Sequence, residues 1–172
     1  MEINRIWEMP NSNTFDIECI RKLIWRYNTA ELLSVDPFAN TNRIASVTND
    51  IDPSMNTDYN MDAIEFLKTF KDSEVDLVLS DPPYSPRQVS ECYKKLGMTV
   101  NMETTQSSFW SKLKDQVTRI TKPNSYVISF GWNSNGMGIN RNFQLEEMLL
   151  VAHGGHHNDT ICTVEKKMNL MF

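Results

Sequence analysis

Short apolar runs alternate along the chain with stretches in which apolar residues recur every three or four positions. The second spacing places apolar side chains on one face of a helix, whereas a short apolar run is typical of a buried strand. The pattern predicts four helices, over residues 16–27, 63–70, 86–97 and 104–121. It also predicts six strands, one that ends at Asp36 and five over residues 44–47, 75–79, 125–130, 143–152 and 160–164.

The connection between the first two predicted strands is short. The first strand stops at Asp36-Pro37, and the second begins about seven residues later, at Ile44. A crossover between parallel strands usually needs at least about 10–12 residues, including its helix. We therefore expect the first crossover helix to be shortened or absent.

The most informative stretch runs from Val75 to Tyr84. An apolar run of strand length is followed by Asp81-Pro82-Pro83-Tyr84, in which the two prolines cannot donate hydrogen bonds to a neighbouring strand. In an open α/β sheet, ligands bind at the carboxyl ends of the strands. The Asp81 carboxylate and the Pro82 carbonyl can accept hydrogen bonds, and Tyr84 adds a flat ring. This combination suits an exocyclic amine on a planar ring, and an ordinary Asp-Pro turn is the alternative.

The sequence Asp81-Pro82-Pro83-Tyr84 resembles motif IV of the amino methyltransferases, which methylate adenine N6 or cytosine N4 in nucleic acid. Upstream, Asn13-Thr14-Phe15 and Asp36-Pro37-Phe38 resemble motifs X and I of that family, in the same order. Asp62 matches motif III, while residues 125–131 and 153–159 are similar to the regions of motifs V/VI and VIII. More narrowly, the chain resembles the small stand-alone adenine-specific (N6) DNA methyltransferase-like proteins of phages and mobile elements.

The resemblance implies a fold, a cofactor and a reaction. The implied fold is α/β and Rossmann-like, with a mostly parallel sheet and an antiparallel C-terminal hairpin strand. The implied reaction is direct methyl transfer from S-adenosylmethionine to a nucleobase amine, adenine N6 in DNA being preferred. The family pattern assigns catalysis to Asp81, Pro82, Pro83 and Tyr84. It places at the cofactor Asn13, Phe15, Asp36, Pro37, Phe38, Asp50 and Asp62.

Two residues depart from the family pattern, in which motif I reads D-P-F-x-G-x-G. Asparagine replaces both glycines, at Asn40 and Asn42. Asparagine tolerates a left-handed backbone better than other non-glycine residues, so the turn can still form. Each side chain nevertheless fills space that glycine leaves open. We therefore expect weakened cofactor binding.

Some acidic residues admit two roles. Asp50 and Asp52 both follow the second strand, where an acid accepts hydrogen bonds from ribose hydroxyls, and a solvated loop charge is the alternative for either. We prefer Asp50 for the ribose. Asp62 would lie near the adenine amine of the cofactor and would also be the N-cap of its helix.

Residues after motif IV suggest substrate contacts. Arg87 could meet a substrate phosphate, while Lys94 and Lys95 are better explained by a solvated helix face. Trp132 either borders the pocket of the target base or covers the end of the sheet. Three histidines and an aspartate in residues 153–159 invite a metal site, but their Gly-Gly spacer does not suit one. We predict a hairpin loop there and no metal.

The composition predicts one cytoplasmic domain over residues 1–172. No apolar run is long enough to span a bilayer, and the N-terminus lacks the pattern of a signal peptide. Cys19, Cys92 and Cys162 are widely spaced, which argues against disulfides and a thiolate zinc site. The net charge of −5 argues against a self-sufficient nucleic-acid binder, because such binding depends on clustered Lys and Arg.

Only eight residues follow Val164, which leaves no room for a separate target recognition domain. Target choice is then expected to depend on a homodimer mate, a protein partner or an accessible DNA or RNA substrate. The main rival function is a catalytically weak or inactive module that binds S-adenosylmethionine or a protein partner, favoured by the lost glycines and the acidic charge. An enzyme that acts on RNA or on a protein glutamine is a further alternative.

Overall fold

The computed structural model describes residues 1–83, 86–97 and 107–169. The strands are β1 (Glu2–Trp7), β2 (Ser34–Asp36), β3 (Val47–Thr48), β4 (Val75–Ser80), β5 (Thr121–Gly131), β6 (Phe143–Ala152) and β7 (Thr160–Lys167). The helices are α1 (Glu18–Tyr27), α2 (Ala63–Lys68), α3 (Pro86–Lys95) and α4 (Ser107–Ile120), with 3₁₀ turns at Thr14–Asp16, Pro53–Met55 and Ile139–Arg141. Within these residues, no helix is both long enough and apolar enough to cross a membrane.

The strands form one sheet in the order β1-β6-β7-β5-β4-β2-β3. Strand β7 is antiparallel to β5 and β6, and every other neighbouring pair is parallel. The predicted α/β fold, mostly parallel with an antiparallel C-terminal hairpin strand, is therefore confirmed.

Strand β4 lies inside the sheet between β2 and β5. Its apolar run is continuous because both faces of a parallel sheet are covered, so that Val75, Leu77, Val78 and Leu79 are all buried. The strand ends at Ser80, and residues 81–83 therefore lie at the carboxyl edge, as the two prolines predict.

Helix α1 covers one face of the sheet. Ile20, Leu23 and Ile24 pack against a buried cluster that includes side chains of β4, β5, β6 and β7. In the same cluster the rings of Phe15 and Phe130 lie with their centroids 4.7 Å apart. Because Phe130 is near the end of β5, this contact holds the segment before α1 at the carboxyl edge.

Helix α1 begins at Glu18, two residues later than predicted. Residues Thr14–Asp16 form a 3₁₀ turn instead, and no side-chain cap precedes the helix within its own segment. The Glu8 carboxylate accepts hydrogen bonds from the backbone N–H groups of Glu18 (2.7 Å) and Cys19 (2.9 Å). Glu8 lies ten residues before Glu18, so the sequence around the start of the helix does not predict this cap.

Helices α2 and α4 cover the other face. Their apolar stripes form a second buried cluster with residues of β2, β4, β5 and β6. Arg119 of α4 joins the two helices, because its guanidinium donates to the carbonyls of Leu67 (3.0 Å) and Phe70 (2.8 Å) and pairs with Asp72 (2.7 Å). These bonds satisfy carbonyl groups where α2 ends.

The connection between β2 and β3 contains turns and no helix, so the predicted loss of the first crossover helix is confirmed. Strand β3 is shorter than expected and lies later, at Val47–Thr48 rather than 44–47. The side chain of Ser46 instead exchanges hydrogen bonds with the backbone of Ser34, which replaces ladder pairing at that point.

Strand β5 begins before its predicted start. The predicted start at residue 125 is wrong, because β5 extends from Thr121 to Gly131 and includes Pro123. The pairing with β4 shifts there, from Val75 opposite Thr121 to Leu77 opposite Tyr126, and Asn124 has a φ of +66°. Such an irregularity accommodates a proline that has no N–H to donate. The last strand, β7, also continues past its predicted end at Val164.

Strand β1 was not predicted. It adds an edge to the sheet through parallel pairing with β6, from Glu2 opposite Glu147 to Trp7 opposite Ala152. Most of its side chains are exposed, so the sequence shows no buried apolar run there.

Candidate functional site

A cavity of about 470 Å³ lies at the carboxyl edge of the sheet, where β2 and β4 end. Its wall combines the segment before α1, the turn after β2, the loop after β3, the start of α2, residues 81–83 and one side of α3. The predicted site residues that line it are Asn13, Phe15, Pro37, Phe38, Asp50, Asp62, Asp81, Pro82 and Pro83. Tyr84 lies outside the described residues.

The turn after β2 is held by its own side chains. The Asp36 carboxylate accepts from the Phe38 backbone N–H (2.9 Å) and from the Asn42 amide (3.3 Å). Asn40 has a φ of +49°, in the left-handed region where glycine is preferred. The φ of Asn42 is not positive, so this position does not require glycine. The turn therefore forms with asparagine at both positions. Asn40 and Asn42 both belong to the cavity wall.

Asp36 itself is fully buried and lies beneath the wall rather than on it. Burial raises the pKa of its carboxyl from 3.8 to about 7, although the bonds from Phe38 and Asn42 oppose the shift, and the charges of Asp81 and Asp50 add to it. Asp36 thus shapes the turn that presents Pro37 and Phe38 to the cavity. Contact between its carboxylate and a ligand would require the turn to open.

Asn49 joins three segments of the site and was missed by the sequence analysis. It is fully buried. Its amide N–H₂ donates to the carbonyls of Pro37 (3.1 Å) and Met61 (3.0 Å), and its side-chain oxygen accepts from the Met61 N–H (3.1 Å). Asn49 therefore holds the turn after β2 and the start of α2 at fixed positions beside the end of β3.

Asp50 and Asp52 both lie on the cavity wall. The two oxygens of Asp50 accept from the backbone N–H groups of Asn40 (2.9 Å) and Asp52 (2.9 Å), so this carboxylate joins the first loop to the second. One oxygen of Asp52 accepts from both the N–H and the hydroxyl of Ser54 at the following 3₁₀ turn. Each carboxylate oxygen has two acceptor sites, so these bonds leave Asp50 able to accept from a ligand.

Asp62 has the predicted capping role. One of its oxygens accepts from the N–H groups of Ile64 (2.9 Å) and Glu65 (3.3 Å) at the start of α2. The other oxygen accepts from the Tyr93 hydroxyl (2.9 Å) on α3. This second bond connects the helix that follows the Asp-Pro-Pro segment to the acid on the far side of the cavity.

The Asp81-Pro82-Pro83 segment is fixed from α4. The indole N–H of Trp110 donates to the Pro83 carbonyl (3.3 Å), and Phe109 lies on the cavity wall beside it. The carbonyl predicted to accept from the target amine is that of Pro82, the neighbouring residue. Trp110 therefore restrains the segment without using that acceptor.

Two predicted substrate residues lie away from the wall. Arg87 is exposed and pairs with Glu91 (2.8 Å), one turn along α3. Trp132 follows the last residue of β5 and is 44% exposed. Neither side chain belongs to the cavity wall.

The histidine loop is a hairpin connection between β6 and β7, as predicted. His153 is buried, and its ring nitrogens lie 2.8 Å from the Glu8 carbonyl and 2.8 Å from the Thr160 hydroxyl. His156 and His157 are exposed. In the described part of the chain, no group of three His, Cys, Asp or Glu side chains is arranged to hold a metal ion.

Gln88, Glu91 and Tyr93 of α3, and Leu96 directly after it, also belong to the wall. None of these residues was predicted from the sequence to line the site. Gln88 and Glu91 are three positions apart, the spacing of one helix face, and this was the available signal. Asn49 and Trp110 offered no such signal, because their partners are distant in sequence.

No protein-family model matches the sequence, and no curated protein matches it. Solved structures do share the fold. TrmN from Thermus thermophilus is 16% identical with a TM-score of 0.60, and the match covers 88% of this chain and 49% of TrmN. The chain thus spans about half the length of that protein.

Two other structures are also similar. The HI0767 protein of Haemophilus influenzae is 10% identical with a TM-score of 0.56, over 88% of this chain and 98% of that one. The 1,6-didemethyltoxoflavin-N1-methyltransferase of Burkholderia thailandensis is 7% identical with a TM-score of 0.53, over 80% and 72% respectively, and its structure contains S-adenosylhomocysteine. At these identities the similarity shows the fold, which is the Rossmann-like fold of methyltransferases.

Replacement of Asn49 should weaken the whole site. Asn49→Ala removes the partner of one buried carbonyl, at Pro37, and of a partly buried carbonyl and N–H at Met61, so we expect the free energy of unfolding to fall by about 2–4 kcal/mol in urea titrations. Asn135→Ala, an exposed asparagine in the loop after β5, is the control and should change it by no more than about 0.5 kcal/mol. Equal effects of the two substitutions would contradict the role given to Asn49.

The stability of the protein should depend on pH through Asp36. Between its unfolded pKa of 3.8 and its folded pKa of about 7, the folded protein keeps a proton that the unfolded chain has released. Stability should therefore fall as the pH rises through this window, with a slope of up to about 1.4 kcal/mol per pH unit, and then level off. Asp36→Asn, which cannot ionise, should lose this slope in urea titrations between pH 5 and pH 8. An unchanged slope in the variant would assign the pH dependence to other groups.

Proposed function

We propose that the protein is an S-adenosylmethionine-dependent methyltransferase that acts on the exocyclic amine of a nucleobase, with adenine N6 in DNA as the preferred target. One observation carries the proposal. The Asp81-Pro82-Pro83 segment shares a single cavity with Asn13, Phe15, Phe38, Asp50 and Asp62, which come from four other segments of the chain. Residues suited to an amine and residues suited to a nucleoside cofactor thus meet at the edge where such folds bind ligands.

The cavity suits S-adenosylmethionine in size and charge. Its volume of about 470 Å³ lies within the range of small-molecule sites, roughly 300–1,000 Å³. Five of its described wall residues are acidic, namely Asp50, Asp52, Asp62, Asp81 and Glu91, and no Lys or Arg is among them. Acidic walls favour a ligand that carries a positive charge and several N–H and O–H donors. S-adenosylmethionine would supply an electrophilic methyl group on its positively charged sulfur.

The roles of the wall residues follow from their positions. Asp50 lies on the loop after β3, where its remaining acceptor sites can take the ribose hydroxyls. The Asp62 oxygen that accepts from the Tyr93 hydroxyl has a second acceptor site, which can take the adenine amine of the cofactor. Phe15 and Phe38 supply apolar surface for the rings.

On the substrate side, Asp81 and the Pro82 carbonyl would accept the two N–H groups of the target amine. Such bonds orient the nitrogen and raise its electron density, and orientation of reactants can contribute roughly 7–11 kcal/mol to the lowering of a barrier. Tyr84 would stack on the target base, as the family pattern implies. The bond from Trp110 to Pro83 supports this geometry, because it restrains the backbone that carries the acceptors.

The charge distribution supports a nucleic-acid substrate despite the acidic total. Residues 84–145 contain eight of the 17 Lys and Arg and three of the 22 Asp and Glu, a net charge of +5. The remaining residues contain nine and 19, a net charge of −10. The positive segment begins directly after the Asp-Pro-Pro segment and includes α3 and α4. Of these cations, Arg87 and Lys94 lie on α3, which contributes to the cavity wall, and they would attract a nucleic-acid backbone to that side. Arg119 and Lys122 lie at the opposite edge of the sheet and pair with Asp72 and Asp76.

A second candidate is a module that binds the cofactor without catalysis. Asn40 and Asn42 favour it, because both belong to the cavity wall at positions where the family pattern has glycine. The two candidates share cofactor binding and differ only in product formation.

Cofactor binding should depend on the charge of Asp62. Asp62→Asn keeps an oxygen for the α2 cap and removes the charge, and it should weaken S-adenosylmethionine binding roughly tenfold, the loss expected for one charge-assisted hydrogen bond. Isothermal titration calorimetry measures the change. Glu31→Gln, a matched change of an exposed carboxylate before β2, should leave the affinity unaltered. Absence of heat with the unaltered protein at millimolar cofactor would end the proposal.

Methyl transfer should depend on Asp81. Asp81→Ala should abolish N6-methyladenine, measured by mass spectrometry of nucleosides after incubation with DNA or RNA oligonucleotides, because the amine loses its main acceptor. Cofactor affinity should stay near that of the unaltered protein. Cofactor binding by the unaltered protein without any methylated nucleoside would favour the non-catalytic module, and product from RNA alone would assign the substrate to RNA.

Tyr84 provides the control for the stacking role. Tyr84→Phe should be mild because the ring remains, whereas Tyr84→Ala should be severe because stacking on a base contributes about 1–3 kcal/mol. Equal losses from the two substitutions would assign the role to the hydroxyl instead.

A further inference from the structure

Strand β1 forms an open edge of the sheet and carries a dense group of exposed apolar side chains. Nine large hydrophobic residues of the described chain are exposed, and five of them lie within residues 1–9. They are Met1 (78% exposed), Ile3 (55%), Ile6 (41%), Trp7 (64%) and Met9 (65%). Exposed apolar residues grouped in this way mark a surface that binds another molecule.

The two edges of the sheet differ. At the far edge, β3 is only two residues long, and residues 58–59 cover it, since Asp58 accepts from the Thr48 N–H and the Tyr59 N–H donates to the Thr48 carbonyl. Strand β1 has six residues, and in the described chain no strand pairs with its outer side. An edge strand of this length with exposed apolar side chains is a site for strand pairing with another chain.

The outward backbone groups of β1 can be identified. The Glu8 N–H donates to the Ala152 carbonyl of β6, so Glu8 faces inward. Backbone groups of successive residues in a strand point to alternate sides, and Asn4 and Ile6 therefore also face β6. Ile3, Arg5 and Trp7 direct their N–H and C=O groups toward the open edge.

We propose that the protein forms a homodimer in which β1 pairs antiparallel with β1 of a second copy, so that the two sheets become one. A two-fold axis perpendicular to the sheet generates this arrangement from a single surface, as in most homodimers. The outward backbone groups of the edge would then be hydrogen-bonded, and the exposed apolar side chains of residues 1–9 would be brought into the interface.

The pairing register follows from the charges of β1. The two-fold axis passes beside one residue of β1, which then lies opposite the same residue of the second copy. With this central residue at Asn4 or at Arg5, five residues of β1 are paired. A centre at Arg5 would place two guanidinium groups directly opposite each other, which is unfavourable. A centre at Asn4 pairs Glu2 with Ile6 and Ile3 with Arg5, without like charges, and it brings Met1 to Trp7 of the second copy.

Helix α1 adds complementary charge to this interface. A groove between the strand and the helix is lined by Asn4 and Ile6 from β1 and by Lys22 and Arg26 from α1, so α1 lies close to the same edge. The two-fold axis would place the two α1 helices antiparallel to each other on one face of the joined sheet. Glu18 at the start of one helix and Arg26 at the end of the other would then lie on facing sides of the axis; within one copy Glu18 pairs with Lys22 (2.5 Å) and Arg26 with Glu147 (2.5 Å).

The dimer would keep the two sites apart. Antiparallel strands direct their carboxyl ends in opposite directions, so the two cavities would lie at opposite ends of the joined sheet. Each copy would bind its own substrate, and the inference does not depend on the proposed function.

Sedimentation equilibrium of the full chain should give twice the mass of one chain. Arg5→Pro should weaken the dimer, because proline removes an outward N–H and leaves the bonds to β6 intact. Two symmetry-related hydrogen bonds would be lost, which should raise the dissociation constant roughly 30-fold. Arg5→Ala keeps the N–H and is the matched control, expected to remain a dimer. Thermal unfolding of both variants reports whether the monomer is still folded.

A disulfide tests the register. With the centre at Asn4, the two Asn4 residues form a non-hydrogen-bonded pair whose Cα atoms lie about 4.5 Å apart, a separation that a disulfide can bridge. Asn4→Cys, in a Cys19→Ser background that excludes the nearest native thiol, should form a covalent dimer under mild oxidation. Glu2→Cys in the same background should not, because Glu2 lies opposite Ile6 of the second copy. Non-reducing electrophoresis separates the two results.

Two results would overturn the inference. One is a monomer at every concentration tested for the unaltered protein. The other is a dimer equally stable in a folded Arg5→Pro variant, which would place the interface elsewhere. Covalent dimers from Glu2→Cys but not from Asn4→Cys would reject the register.

Discussion

The buried amide of Asn49 is the interaction on which the cavity depends. It joins two backbone segments, the turn after β2 and the entry to α2. The amide donates to a carbonyl of each segment and accepts from one N–H of the second. A buried polar group of this kind is stable only when all its partners are present, and it then fixes their relative positions. Two acids of the cavity wall lie next to these contacts: Asp50 directly follows Asn49, and Asp62 directly follows Met61.

The missing crossover helix explains why side chains hold this part of the fold. In doubly wound folds the turn after the first motif strand leads into a helix, whose free N–H groups face the ligand. Here residues 37–46 contain no helix. The turn is instead held by Asp36, Asn42 and Asp50, each of which accepts from or donates to backbone within it. The buried, raised-pKa Asp36 is thus a structural acid beneath the site.

A second buried carboxylate does similar work on the loop after β5. Glu165 of β7 accepts from the backbone N–H groups of Met137 (2.5 Å) and Gly138 (2.8 Å). Gly136 has a φ of +40°, and a Cβ there would lie 2.1 Å from a Glu165 oxygen, so both the backbone conformation and the position of this carboxylate favour glycine. Both loops at the carboxyl edge are therefore shaped by carboxylates that bind backbone N–H groups, in place of further helices.

The sequence by itself determined the elements with strong local patterns: the buried run of β4, its stop at Asp81-Pro82-Pro83, the hairpin of β6 and β7, and the absence of a helix after β2. These follow from periodicity, proline chemistry and chain length, which are local properties. Only the tertiary structure decided the contacts made across long sequence separations. Glu8 caps α1, Asn49 joins two loops, Trp110 restrains Pro83, and exposed β1 pairs with β6, because each needs a partner that folding alone brings near.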